Sequence, residues 1–198
     1  MKKIVLASAS PRRIELLHQI GIEAEVRPVN ADESFSADLT PAEIVEELSR
    51  RKAAAAYEQY AAQCDDTVIL AADTVVSIHG KILGKPADEE EAYRMLRLLS
   101  GKRNIVYTGV TLLLISEGKI AAEDVFHNAT SVYVFPLDKD EIHDYIRSGE
   151  PMDKAGAYGA QGKAALFVRG IDGDFFNVMG LPLCRLGQML KMQGVELL

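Results

Sequence analysis

Apolar and polar positions follow two rhythms along this chain, one strand-like and one helical, and their order outlines its architecture. Residues 4–7 form a short apolar run, read as a buried strand, which feeds Ser8-Ala9-Ser10-Pro11. A helical pattern of Ile14, Leu16, Leu17 and Ile20 follows. Ser10 suits the cap, Pro11 the first helical position, and Gly21 the stop. Residues 23–29 alternate as a second strand. Thr40-Pro41-Ala42-Glu43 is a capping-box sequence that opens a long helix, rich in alanine and glutamate, running towards Ala62. Residues 67–72 make an apolar strand that ends at Asp73-Thr74. Residues 75–78 and 81–83 flank His79-Gly80 as a tight hairpin.

The second half continues the alternation. Residues 88–99 carry Ala92, Met95, Leu96 and Leu99 at helical spacing, and 105–115 and 119–135 are long strands joined through Glu117-Gly118. Asp138-Lys139-Asp140-Glu141 caps a helix that stops at Gly149. A glycine-rich loop leads to a strand at 164–168, and a final amphipathic helix bears Leu183, Leu186, Met189 and Leu190. Strands and helices alternating, with hairpins in the middle, predict an α/β fold: a mixed, twisted sheet flanked by helices. No repeat, low-complexity tract or linker interrupts it, so residues 1–198 are read as a single domain.

Composition narrows the class. With 198 residues, 48% apolar and 26% charged, the chain is neither disordered nor collagen-like. No apolar run nears the roughly 20 residues that span a bilayer. The first apolar run is cut off at Ser8 and Pro11, too short for a signal peptide, and the expected compartment is the cytoplasm. The net charge of −7 argues against a general nucleic-acid binder, because phosphate neutralisation supplies most of that affinity; it leaves room for a local basic pocket. Cys64 and Cys184 lack metal or redox spacing and are read as free thiols. The four histidines are scattered, which argues against zinc.

Five segments could carry chemistry, and each also has an ordinary structural reading. In Ser8-x-Ser10-Pro11-Arg12-Arg13, a strand delivers the chain to a helix N-terminus, where free N–H groups attract anions. Two arginines there oppose the helix dipole, so they call for another use, and their planar donor forks match phosphate oxygens. Asp73, followed by Thr74, is expected at a strand end, where a carboxylate can hold a divalent metal or activate water; it is equally a turn-former. Lys85 in Gly84-Lys85-Pro86 offers a point charge to a phosphate, though the tripeptide is common turn chemistry. The run 153–162 spaces three glycines around Tyr158, able to stack, and Gln161, whose amide both donates and accepts. It fits neither a P-loop nor a dinucleotide fingerprint. Glu33 could complete a carboxylate pair with Asp73, or simply be a solvated loop acid.

Taken in order, these segments resemble the Maf-type (septum-formation-inhibitor-like) nucleoside triphosphate pyrophosphatases over essentially the whole chain. The resemblance runs through Leu6-Ala7-Ser8-Ala9-Ser10-Pro11-Arg12-Arg13, Glu33, Lys52-Ala53 and Ala72-Asp73-Thr74-Val75-Val76. It continues through Gly84-Lys85-Pro86, Ser100-Gly101-Lys102, Tyr107-Thr108-Gly109-Val110, residues 153–162 and Met179-Gly180-Leu181-Pro182. It implies two lobes around a central cleft, a homodimer, and metal-dependent (Mg²⁺ or Mn²⁺) hydrolysis of a nucleoside triphosphate to monophosphate and pyrophosphate. Asp73 matches the family's proton acceptor, and Glu33 a site carboxylate that would share the metal with it. Ser8, Arg13, Lys52 and Lys85 match phosphate-contacting positions. Arg12, Thr74 and Gln161 match the positions that separate the dTTP/UTP group from the 7-methyl-GTP group.

Two positions depart from the pattern: Ala160 stands where isoleucine is more common, and Asn104 where histidine is. The expected function is therefore a dTTP and UTP pyrophosphatase, extending to modified pyrimidine triphosphates, with no nucleic-acid polymer and no membrane as partner. A non-catalytic nucleotide sensor of septum formation, or a pyrophosphatase for non-standard purines, are the competing readings. A sensor has no use for two carboxylates beside a triphosphate. All of this requires fixed cations to face a pair of acids in one place.

Overall fold

A computed structural model describes residues 2–60 and 66–197. The chain runs β1 (Lys3–Leu6), α1 (Pro11–Gln19), β2 (Glu25–Val26), α2 (Pro41–Tyr60), β3 (Thr67–Ile78), β4 (Lys81–Leu83), α3 (Glu89–Leu99), β5 (Arg103–Ser116), β6 (Lys119–Val134), α4 (Lys139–Arg147), β7 (Val168–Asp172), α5 (Phe175–Met179) and α6 (Leu183–Met192). The seven strands form one sheet in the order β2-β1-β3-β5-β6-β7, with β4 paired to β3. The sheet is mixed, as the alternating pattern predicts: β1 lies parallel to β2 and β3, whereas β3–β4 and β6–β7 are antiparallel.

Two compact units divide the chain. The first comprises Met1–Asp73, Thr108–Asn128 and Gly180–Leu198, and the second Thr74–Tyr107 and Ala129–Met179. In the first, Val5, Ala7, Ile69, Ala71, Leu113 and Ile115 pack against Ala53 and Ala56 of α2. The small residues let helix and sheet come close, most of all at Gly109, where an added Cβ would lie 2.2 Å from the Val45 carbonyl oxygen. In the second unit, α3 and α4 bury Leu96, Leu99, Ile142 and Ile146 with Val132, Val134 and Phe167. Each such side chain contributes about 1.5–3 kcal/mol on leaving water. No helix among the described residues is long and apolar enough to cross a membrane.

Turn chemistry places most boundaries. Thr40 and Glu43 form the expected reciprocal cap on α2: Thr40 N–H donates to Glu43 Oε2 at 2.8 Å, and Glu43 N–H to Thr40 Oγ1 at 3.3 Å. The Asp138–Glu141 box caps α4 in the same way. His79 (φ 50°) and Gly80 (φ 74°) make the two-residue hairpin. The far end of α2 that was expected towards Ala62, like Cys64, lies outside the described residues.

Three local expectations are corrected, and one short helix is added. Ser10 occupies the α1 cap position, but its side chain makes no capping bond; its own N–H donates to Ser8 Oγ at 3.2 Å instead. The second strand shrinks to Glu25–Val26, because pairing reaches only Val5 and Leu6 of β1. The strand expected at 164–168 is a 3-10 turn over Lys163–Leu166, and β7 begins at Val168. Ala164-Ala165-Leu166 has no β-branched residue to favour a strand, and Leu166 points to solvent at 88% exposure. The short α5 is announced only by Asp174, whose Oδ1 accepts from Phe176 N–H at 2.8 Å.

Candidate functional site

Asp73 is not at a strand end. Residues 67–78 form one continuous β3, because no glycine or proline separates the apolar run from Thr74-Val75-Val76 and the β-branched side chains extend it. Asp73 and Thr74 are half-buried in mid-strand, and the Asp73 side chain is 13% exposed. A carboxylate there needs a partner. It has one: Lys52, projecting from α2, places its Nζ 2.5 Å from Asp73 Oδ1. The same Nζ lies 2.8 Å from Glu33 Oε1, on the loop after β2. One ammonium, 14% exposed, thus sits between two acids brought from separate parts of the first unit, and Glu33 stays 66% exposed.

The arginine turn faces the same acids. Arg13 Nε donates to the Gly180 carbonyl at 2.8 Å, and its Nη1 donates to Ser8 Oγ at 3.2 Å. Burial holds the Arg13 guanidinium below its usual range; Asp73 and Glu33 oppose that shift, and Arg12 adds to it. The two arginines therefore lie within electrostatic reach of one another, and Arg13 within reach of both carboxylates. The first unit therefore collects Ser8, Arg12, Arg13, Glu33, Lys52 and Asp73. Sequence reasoning gave no role to Gly180, which anchors Arg13; its only signal was the Met179-Gly180-Leu181-Pro182 block.

The remaining candidates belong to the second unit. Thr74 follows Asp73 on β3, Lys85 is exposed after β4, and Gln161 is exposed on a turn at 160–162. Tyr158, read as able to stack, is instead 5% exposed and part of the core. Its hydroxyl donates to Asn104 Oδ1 at 2.9 Å, and Asn104 Nδ2 donates to the Val132 carbonyl at 3.3 Å. The unusual Asn104 is thus a buried hydrogen-bond partner. Ala160 is buried at 7% exposure.

Two carboxylates that converge on one cation position, oxygen donors only, form the kind of set that suits a hard divalent ion completed by phosphate and water. The position is lined by Asp73 and Glu33 and is filled by the Lys52 ammonium. No group of three or more histidine, cysteine or acidic residues that could hold a metal ion occurs among the described residues, so an ion held here would take most of its ligands from elsewhere. Fixed cations beside such a pair can neutralise a polyanion while a carboxylate handles a proton.

A family model described as Maf-like protein matches residues 3–193. The chain is 51% identical over 192 residues to a protein of Carboxydothermus hydrogenoformans named dTTP/UTP pyrophosphatase, covering 97% of this chain and 99% of that one. It is 48% identical over 198 residues to a Pelotomaculum thermopropionicum protein of the same name, with all of both chains covered. In fold it is similar to the Ham1 protein of Staphylococcus aureus, with a TM-score of 0.54 at 14% identity over 97% of this chain and all of that one.

Proposed function

The chain belongs to the Maf-like proteins, and from that premise we propose that it hydrolyses dTTP and UTP to the monophosphate and pyrophosphate. Full-length similarity to proteins named dTTP/UTP pyrophosphatase supports the reaction class and the substrates. The observation that carries the chemistry is Lys52 Nζ, held 2.5 Å from Asp73 and 2.8 Å from Glu33.

In this reading, Arg12, Arg13, Lys52 and Lys85 neutralise the triphosphate, which otherwise repels both water's developing hydroxide and the carboxylate. Ser8, already fixed by Arg13, donates its hydroxyl proton to a phosphate oxygen. Asp73 takes a proton from the attacking water as the α–β anhydride breaks and pyrophosphate leaves. In this reading Lys52 turns from Asp73 Oδ1 to the substrate, where its ammonium donates to phosphate oxygens. Glu33 and Asp73 would hold a Mg²⁺ or Mn²⁺ ion, which when bound supplies Lewis-acid stabilisation of phosphate charge. Thr74 and Gln161 read the pyrimidine edge.

The same reading makes 1–198 one Maf-like domain with two lobes, working in the cytoplasm as a homodimer. A panel of dTTP, UTP, CTP, ITP and XTP, assayed for pyrophosphate release with and without Mg²⁺ or Mn²⁺, tests it. Metal-dependent turnover of dTTP and UTP above the others is expected. Turnover of ITP or XTP instead would transfer the function to non-standard purines, and no turnover at all would favour a sensor.

A further inference from the structure

The turn that carries Gln161 hangs from a single carboxylate. Glu150 follows Gly149, whose left-handed conformation (φ 74°) turns the chain out of α4. Its Oε2 accepts from the backbone N–H of Lys163 at 2.8 Å. Its Oε1 accepts from the Tyr145 hydroxyl at 2.9 Å, and that hydroxyl oxygen accepts in turn from the backbone N–H of Gly159 at 3.2 Å. Gly159 and Lys163 stand two residues before and two residues after Gln161. One side chain therefore ties down the backbone on both sides of an exposed amide.

The surroundings make this link stiff. Tyr145 is 6% exposed and meets Phe167 edge-on, with ring centroids 5.0 Å apart. Burial first, and the Glu150 carboxylate next, push its phenol up, so it stays protonated and donates to Glu150. An added Cβ on Gly162 would lie 2.3 Å from Glu150 Oε1, and one on Gly159 would lie 2.4 Å from Lys154 Cε. Lys154 is itself fastened by its Nζ to the Glu150 carbonyl at 2.8 Å. The glycines of this loop thus allow close wrapping around two side chains; they are not there for looseness. The Gly162 N–H donates to the Gly159 carbonyl at 3.0 Å and closes the turn between the two tethers.

We infer that Glu150 is a positioning residue for base selection: through Tyr145 and the Lys163 N–H it fixes where the Gln161 amide is presented. The inference rests on the reading of Gln161 as a base reader. Uracil and thymine present an N–H flanked by two carbonyls, whereas cytosine presents an amine beside a bare ring nitrogen. A side-chain amide reaches a base edge at a distance and angle set by its backbone, so a fixed backbone lets one edge fit better than another.

The test compares Glu150→Gln, Tyr145→Phe and Gln161→Ala in the full chain. In Glu150→Gln one acceptor becomes an amino group facing a donor, and in Tyr145→Phe only the Gly159 tether is lost. KM and kcat are measured for UTP, dTTP and CTP by pyrophosphate release, and amide hydrogen exchange is followed across 159–163. Loss of a charge-assisted tether is expected to raise KM for UTP and dTTP about tenfold. In both tether variants kcat should stay within about twofold, the UTP-over-CTP preference should narrow as it does in Gln161→Ala, and exchange should quicken. Three results overturn the inference: an unchanged preference in Glu150→Gln while Gln161→Ala shifts it, unchanged exchange at Gly159 and Lys163, or a fall in kcat equal for all substrates with KM intact. If Gln161→Ala leaves the preference intact, the base reading fails and this inference with it. Exchange in Glu150→Gln then still shows whether the tether exists.

Discussion

Lys52 and Asp73 are joined at 2.5 Å, with only 14% and 13% of their side chains exposed, and Glu33 meets the same ammonium from the solvent side. A pair this sheltered loses less to solvent screening than the ion pairs on the outer faces of the helices, such as Arg94–Glu90, exposed at 61% and 79%. The arrangement gives both carboxylates a shared counter-charge within the first unit.

Replacing Asp73 with asparagine should therefore separate chemistry from binding. The amide is nearly isosteric and Lys52 keeps Glu33, so the fold should survive. Turnover of dTTP should fall by about 10²–10⁴, while titration calorimetry should show dTTP binding with an affinity close to wild type. Retained turnover would remove Asp73 from the role of proton acceptor.

Glu33 should act through the metal. With half the carboxylate pair neutralised, Glu33→Gln should raise the Mg²⁺ concentration for half-maximal activity by about tenfold. Chelation should abolish wild-type turnover, and added Mg²⁺ or Mn²⁺ should restore it. A half-saturating Mg²⁺ concentration identical in the variant and the wild type would show that Glu33 is not a metal-site acid.

Gln161→Glu replaces the donor half of the amide by a second acceptor. A carboxylate suits a base edge rich in N–H groups and repels the carbonyls of uracil and thymine. The preference for UTP and dTTP over other triphosphates should drop by about 1–2 kcal/mol, roughly five- to thirtyfold, with hydrolysis in general retained. An unaltered substrate profile would count against base reading by this residue.

How far the sequence foretold these arrangements depended on whether the signal was local. Thr40/Glu43, Asp138/Glu141 and His79-Gly80 are self-contained pieces of backbone chemistry, and each formed as its residues require. The run 163–166 misled because a short apolar stretch has no period with which to tell strand from turn. Asp73 drew attention by its neighbours, but its mid-strand place was masked by the habit of acids to end strands. The Lys52 contact crosses 21 residues of sequence and the Tyr158–Asn104 bond crosses 54, so neither leaves a local trace. Tyr158 was misread for that reason: an aromatic residue among glycines looks accessible until its buried partner is known.

The α2 cap should give stability a small acid-sensitive part. Donation from the Thr40 backbone N–H, and then from its hydroxyl, holds the Glu43 carboxyl below its ordinary value of 4.5. A folded-state value below the unfolded one stabilises at pH values above the unfolded one, and the gain disappears as pH falls through the folded one. Glu43→Ala should thus melt earlier than wild type at neutral pH, and the gap should narrow steadily as the pH is lowered from about 4.5. A gap equal at pH 7 and at pH 2 would mean that the ionised carboxylate adds nothing to the cap.

Gly109 offers a sharper test of packing. It lies on β5 beneath α2, where an added Cβ would fall 2.2 Å from the Val45 carbonyl oxygen, 2.3 Å from the Val45 carbonyl carbon and 2.8 Å from the Glu46 nitrogen. All three atoms are helix backbone, which cannot swing aside as a side-chain tip can. Gly109→Ala must lift α2 from the sheet, loosening the seat of Ala53 and Ala56 and carrying Lys52 away from Asp73. The expected loss is about 3 kcal/mol, at the upper end of overpacking effects, and turnover should fall further than the folded fraction does. Gly170→Ala, where nothing stands within 4 Å of the new methyl, should stay within about 0.5 kcal/mol of wild type. Equal melting of the two variants would show that the close approach of α2 to β5 does not hold in solution.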